Sequence, residues 1–108
     1  MSGTPLAEGM SPLPTAEEVA DQLKNLPEWR EAGSEGKAIS ATFKFADFKA
    51  ALSFVNQVGD QAEAMNHHPD VDIRWNKVML TLSTHSAGGL THLDFELARR
   101  ISAEAAGQ

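Results

Sequence analysis

Apolar residues recur along this chain at two spacings, and the spacing changes with each proline or glycine cluster. Val19, Leu23 and Leu26 return every three or four residues, the period of a helix with one apolar face, and Pro27 stops the run. Thr15-Ala16-Glu17-Glu18 just before it is a capping box, in which hydroxyl and carboxylate satisfy the unpaired amides of a helix start. Glu28–Glu31 reads as a short strand and Gly33–Gly36 as a turn. Ile39, Ala41, Phe43 and Phe45 then alternate with Ser40, Thr42 and Lys44, the period of a strand with one covered face. Asp47 can cap a second helix running to about Met65. Phe48, Leu52, Val55, Ala62 and Met65 form one stripe on it, and Ala50, Phe54 and Val58 a second. So wide an apolar arc predicts either a deeply buried helix or one that packs on the sheet and on a partner subunit.

Pro69 disfavours helical backbone at His68, so the second helix ends within 66–68. Val71, Ile73 and Trp75 alternate with Asp70, Asp72 and Arg74; Asn76-Lys77 fits a turn; Val78, Leu80 and Leu82 continue the alternation as an antiparallel partner. After a loop at Ser86–Gly89, Thr91-His92-Leu93-Asp94 is a second capping box, with Leu90 and Phe95 placed for the hydrophobic staple across it. Leu97, Ala98 and Ile101 carry the third helix. The order α-β-β-α-β-β-α predicts an α+β fold with helices on one face of an antiparallel sheet. Residues 1–14 hold three of the five prolines and read as a flexible arm, leaving 15–108 as a single domain.

Composition narrows the chemistry. The 108 residues suit one small domain, and a chain of this length gains from a self-association partner because it buries only about two-thirds of its unfolded surface. No cysteine is present, which removes disulfides, thiolate nucleophiles and cysteine-based metal sites. Nine Lys and Arg against fifteen Asp and Glu give a net charge of −6, unsuited to direct nucleic-acid binding through phosphates. The N-terminus lacks the pattern of a secretory signal, and no apolar run reaches the ~20 residues of a membrane span, so the expected compartment is the cytoplasm.

All four histidines lie between His67 and His92. The two strands after Pro69 have similar reach, so a hairpin returns Thr84 and His85 to the neighbourhood of His67 and His68. Glu63 lies one helical turn before His67. Three imidazoles and a carboxylate thus converge at element ends, where sites commonly sit. Each also has a plainer role: Pro69 as a helix stop, Glu63 as a solvated helix residue, Asp94 as a cap, Trp75 as core, His92 as an exposed first helical residue. The set lacks His-x-His, His-Glu-x-x-His and any i, i+4 His pair, and extended backbone points His67 and His68 apart, which argues against a metal. No Gly-x-Ser-x-Gly elbow or glycine-rich nucleotide loop occurs.

Glu63-x-x-x-His67-His68-Pro69, the aromatic Trp75, Leu82-Ser83-Thr84-His85 and Gly89-Leu90-Thr91-x-x-Asp94 together resemble the pterin-4a-carbinolamine dehydratases, over roughly Leu13–Ile101. The resemblance implies a four-stranded antiparallel sheet with three helices on one face, and dimers joined at sheet edges or tetramers joined through helices. It implies a catalytic set of His67, His68 and His85, with Glu63, Pro69, Trp75, Thr84 and Asp94 supporting the substrate. Trp75 stands where a Tyr is also common, and Val71 where a larger aromatic can occur. The implied reaction removes water from a 4a-hydroxytetrahydropterin, the product left by an aromatic amino acid hydroxylase, with no metal or cofactor. Imidazoles, titrating near pH ~6.5, suit the two proton transfers. The implied alternative is a non-catalytic dimerisation or regulatory protein of the same fold, with a hydroxylase or a transcription factor as partner.

Overall fold

The computed structural model describes residues 13–108. The arm expected over residues 1–14 therefore lies outside the described residues, apart from Leu13 and Pro14. Three helices and four strands follow in order: α1 (Ala16–Leu23), β1 (Trp29–Ala32), β2 (Ala38–Lys44), α2 (Phe48–Met65), β3 (Asp70–Arg74), β4 (Lys77–Leu82) and α3 (His92–Ala106). The sheet is antiparallel throughout, with strand order β1-β2-β4-β3. This is the α+β order that the hydrophobic pattern predicts.

Both capping boxes form. Thr15 Oγ1 accepts from the Glu18 amide while Glu18 accepts from the Thr15 amide, and Thr91 and Asp94 repeat the arrangement at α3. Asp47 caps α2 through the Ala50 amide. Register then sorts the side chains. Ile39, Ala41 and Phe43 stand opposite Leu82, Leu80 and Val78, so all six share one face, and all six are buried. Helix α2 meets that face with Ala51, Phe54, Val58 and Ala62, and α3 adds Phe95, Leu97, Ala98 and Ile101. Phe54 sits at the centre, its ring 5.3 Å from Phe43 and 4.8 Å from Phe45. Trp29 is buried with its indole N–H donating to Ser102 Oγ, which ties β1 to α3.

Two expectations change. The buried stripe of α2 is Ala51-Phe54-Val58-Ala62, whereas Phe48 and Leu52 are exposed, because a helix apolar over so wide an arc does not define one inward face from pattern alone. The hairpin turn is Trp75-Asn76, not Asn76-Lys77. Trp75 has φ +53° and is 69% exposed, so it is not core. Asn76 is the buried member: its amide donates to the Phe45 carbonyl and its own carbonyl accepts from the Phe45 amide, which fastens the turn to the end of β2. Such backbone mimicry selects Asn for the inner position and leaves its neighbour outside.

Removing the ring at the centre of the core leaves a cavity that the sheet cannot close. Phe54→Ala is expected to cost about 3–5 kcal/mol in urea unfolding.

Candidate active site

The end of α2 sets the first histidine. Asn66 adopts the left-handed conformation at φ +50°, the His67 amide reaches back to the Ala62 carbonyl at 3.0 Å, and the Asn66 amide to Glu63 at 3.1 Å. This is a Schellman ending, in which a left-handed residue turns the chain out of the helix. Pro69 then keeps His68 extended, so consecutive imidazoles diverge. His67 turns inward, its side chain 10% exposed, and its Nε2 lies 2.6 Å from Asp94 Oδ1. His68 remains half-exposed, and its Nε2 hydrogen-bonds Glu63 Oε2 on the last turns of α2.

Asp94 is fully buried at the third position of α3. Its Oδ2 accepts from the Thr84 hydroxyl at 2.8 Å and from the Thr91 amide at 2.9 Å. Thr84 has one proton and spends it on Asp94, so the 2.8 Å contact between the two threonine hydroxyls runs from Thr91 to Thr84. With Oδ2 doubly bonded to donors, Oδ1 is left for His67. An acceptor-only carboxylate there holds the imidazole proton on Nε2 and leaves Nδ1 as the ring's free nitrogen. No other hydrogen bond to His67 side-chain atoms forms among the described residues.

His85 arrives from the other direction. β4 ends at Leu82, and Thr84 and Gly89 pair as an isolated bridge that closes a small loop. The loop holds a single 3₁₀ turn over His85–Ala87 and closes through Gly88 at φ +76°, a conformation glycine adopts without penalty. His85 is exposed at its tip. Asn66, His67, His68, Asp70, Ser83, Thr84, His85 and Ser86 line one cleft of about 320 Å³.

The hairpin thus brings His67, His68, His85 and Thr84 together. Asp94 stands behind His67 and Glu63 beside His68; Pro69 shapes the backbone. Trp75 is not brought to the cleft of its own chain, since the five residues of β3 place it roughly 17 Å along the strand from Asp70. The resemblance counts Trp75 among the substrate residues, but the alternation through Val71 and Ile73 carries it to the far end of the hairpin. Asn66, Asp70, Ser83 and Ser86 also line the cleft, which the sequence pattern does not predict. The Asn before a helix-stopping dipeptide is the one legible signal among them. The coupling of Thr91 to Thr84 depends on a loop closure that sequence does not display. His92 is exposed at the first position of α3, as expected. Among the described residues no group of three or more His, Asp or Glu is arranged to hold a metal ion, and no helix is long and apolar enough to cross a membrane.

Residues 12–104 match the family described as "Pterin 4 alpha carbinolamine dehydratase". A protein of Nocardia farcinica named "Putative pterin-4-alpha-carbinolamine dehydratase" is 51% identical over 85 residues, 79% of this chain and 86% of its own length. One of the same name from Acidobacterium capsulatum is 47% identical over 89 residues, 82% and 94% of the two chains. A crystal structure from Brucella melitensis, described as a transcriptional coactivator/pterin dehydratase, superposes with a TM-score of 0.82 at 37% identity, covering 87% of this chain and 99% of that one. A pterin dehydratase-like protein described as a RuBisCO assembly factor in the alpha-carboxysome shares the fold, with a TM-score of 0.61 at 22% identity over 72% and 89% of the chains.

The tautomer follows from Asp94 and can be read without any substrate. Long-range ¹H–¹⁵N correlation at a pH where imidazoles are neutral is expected to show His67 protonated on Nε2. Asp94→Asn, which can offer an amide N–H in place of the acceptor, is expected to remove that bias.

Proposed function

The chain belongs to the pterin 4 alpha carbinolamine dehydratase family of hydro-lyases, and from that premise we propose that residues 15–108 act as a single dehydratase domain on 4a-hydroxytetrahydropterin. The observation that carries this reading is the convergence of His67, His68 and His85 on one cleft, with a buried carboxylate behind the first.

The reaction needs two proton transfers. The hydroxyl on C4a must be protonated to leave as water, and the N5–H proton must be taken up as the nitrogen lone pair forms the C4a=N5 bond. The products are water and a quinonoid dihydropterin. His67 suits the base. The Asp94 carboxylate holds the ring in one orientation with its proton on Nε2, which leaves Nδ1 to take the substrate's proton. His85, exposed on a short loop that lines the same cleft, suits the acid. His68, oriented by Glu63, positions the substrate from the other side. Thr84 contributes by holding Asp94, and Ser83 and Ser86 give the cleft polar groups for the pterin's amide and amine edges.

The physiological role that fits is recycling of the pterin cofactor of aromatic amino acid hydroxylases, notably in phenylalanine hydroxylation, in the cytoplasm. A homodimer or homotetramer suits the exposed Phe48 and Leu52 of α2 and the open sheet edges. A regulatory binding role is the second reading, prompted by the coactivator description of the Brucella structure. Catalysis is the better account of the site, because a scaffold has no use for three imidazoles around one cleft.

Stopped-flow measurement of water loss from freshly generated 4a-carbinolamine tests the reading. The intact chain is expected to accelerate it, and His67→Ala and His85→Ala each to lower the rate by ~10²-fold or more. Catalysis left unchanged by the double substitution would refute the assignment.

A further inference from the structure

The sheet has a second face, turned away from the helices, that the cleft does not use. On it Lys44 stands opposite Lys77, and Lys77 opposite Arg74, so three cations form one row across β2, β4 and β3. All three are exposed, whereas their neighbours Phe43 and Val78 belong to the helix side and are buried. Adjacent strands lie ~4.8 Å apart, so the row spans ~10 Å. Like charges directly opposite each other destabilise a sheet. Asp72 relieves Arg74, whose Nε donates to Oδ1 at 3.1 Å. Among the described residues no carboxylate forms an ion pair with Lys44 or Lys77.

The rest of this face sharpens the contrast with the chain. Arg30, opposite Ser40, adds a fourth cation, and the four strands place only Asp70 and Asp72 as carboxylates on that side. A cationic surface thus sits on a chain of net charge −6. The row beside the cations is Thr42, Met79 and Asp72, and Met79 is 41% exposed there. Thr42, Asp72, Arg74, Lys77 and Met79 bound a depression of about 250 Å³, with an apolar residue among its charges.

We propose that this end of the open face is a docking surface for an acidic helical segment of a partner protein. A helix rises 5.4 Å per turn, so carboxylates at i, i+4 and i+7 form a line of charge ~10 Å long, close to the spacing of the row. An apolar side chain beside that stripe reaches Met79. A single exposed ion pair is weak, which disfavours a free small anion; one helix that engages three cations together adds their effects. Screening confines the attraction of the row to about 8–10 Å at physiological salt, so a long polyanion would lie mostly over the acidic remainder of the chain. The cations lie at the turn end of β3 and β4, and Asp70 and Ser83 line the cleft at the other end. Self-association through a sheet edge or through α2 would leave this face uncovered. The proposal does not rest on the pterin reading.

The probe is a fluorescein-labelled, hydrocarbon-stapled helical peptide with Glu at i, i+4 and i+7 and a Leu beside them. Its control has the same composition with the Glu residues spread round the helix. The full chain at low salt is expected to bind the striped peptide about tenfold more tightly than the control, and to lose about tenfold in affinity at physiological salt. Lys44→Gln combined with Lys77→Gln should weaken binding about tenfold or more. Because it removes repulsion between facing cations, it should also raise the Tm by about 1–5 °C at low salt. Lys77→Gln alone should show both effects at smaller size, and His67→Ala should bind the peptide as the unsubstituted chain does. Equal affinity for the two peptides, undiminished binding by the double variant, or a double variant that melts lower would overturn the proposal. So would tighter binding of a DNA duplex or of phosphatidylserine vesicles than of the striped peptide.

Discussion

A carboxylate removed from water must find its hydrogen-bond donors inside the protein, and at Asp94 this requirement joins three separate parts of the chain. The Thr91 amide comes from the first turn of α3, the Thr84 hydroxyl from the end of the β3–β4 hairpin, and the His67 imidazole from the exit of α2. None of the three can move far without leaving a buried charge short of a partner, a penalty of several kcal/mol. The junction is therefore both a helix cap and a brace for the cleft. Because α2 and α3 are themselves fixed by the core around Phe54, Leu97 and Ile101, the position of His67 is set from the sheet outward.

The same economy explains why three histidines so close in sequence do different things. The left-handed Asn66 and the proline two residues after His67 force adjacent side chains apart, one onto a buried carboxylate and the other onto an exposed one. His85 has no such tether among the described hydrogen bonds and rides on a loop closed by the Thr84–Gly89 bridge. A rigid, carboxylate-backed imidazole opposite a more accessible one is the asymmetry that a reaction with one proton gained and one proton lost requires.

Much of this is legible in the amino-acid sequence alone. Thr15 and Thr91 announce their helices because a hydroxyl followed three residues later by an acid solves a local hydrogen-bonding problem, whatever the rest of the chain does. The return of His85 to His67 follows from strands of matched length. Three features are hidden for physical reasons. Trp75 extends the apolar alternation of β3 so well that period alone places it in the core, and only the backbone bonds of Asn76 to Phe45 show where the turn falls. Helix α2 carries apolar residues on most of its circumference, so its inward stripe is decided by the sheet it meets. The second partner of Asp94 is a threonine ten residues earlier, and nothing in the spacing of Thr84 and Asp94 reveals that a Thr84–Gly89 bridge closes the loop between them.

Catalysis in this reading depends on Asp94 holding His67 as a competent base. Single-turnover dehydration of 4a-carbinolamine by Asp94→Asn protein, shown by circular dichroism to be folded and by titration to bind dihydropterin, tests it most directly. The rate is expected to fall on the order of 10²-fold with pterin affinity nearly retained. A rate close to that of the unsubstituted chain would contradict it.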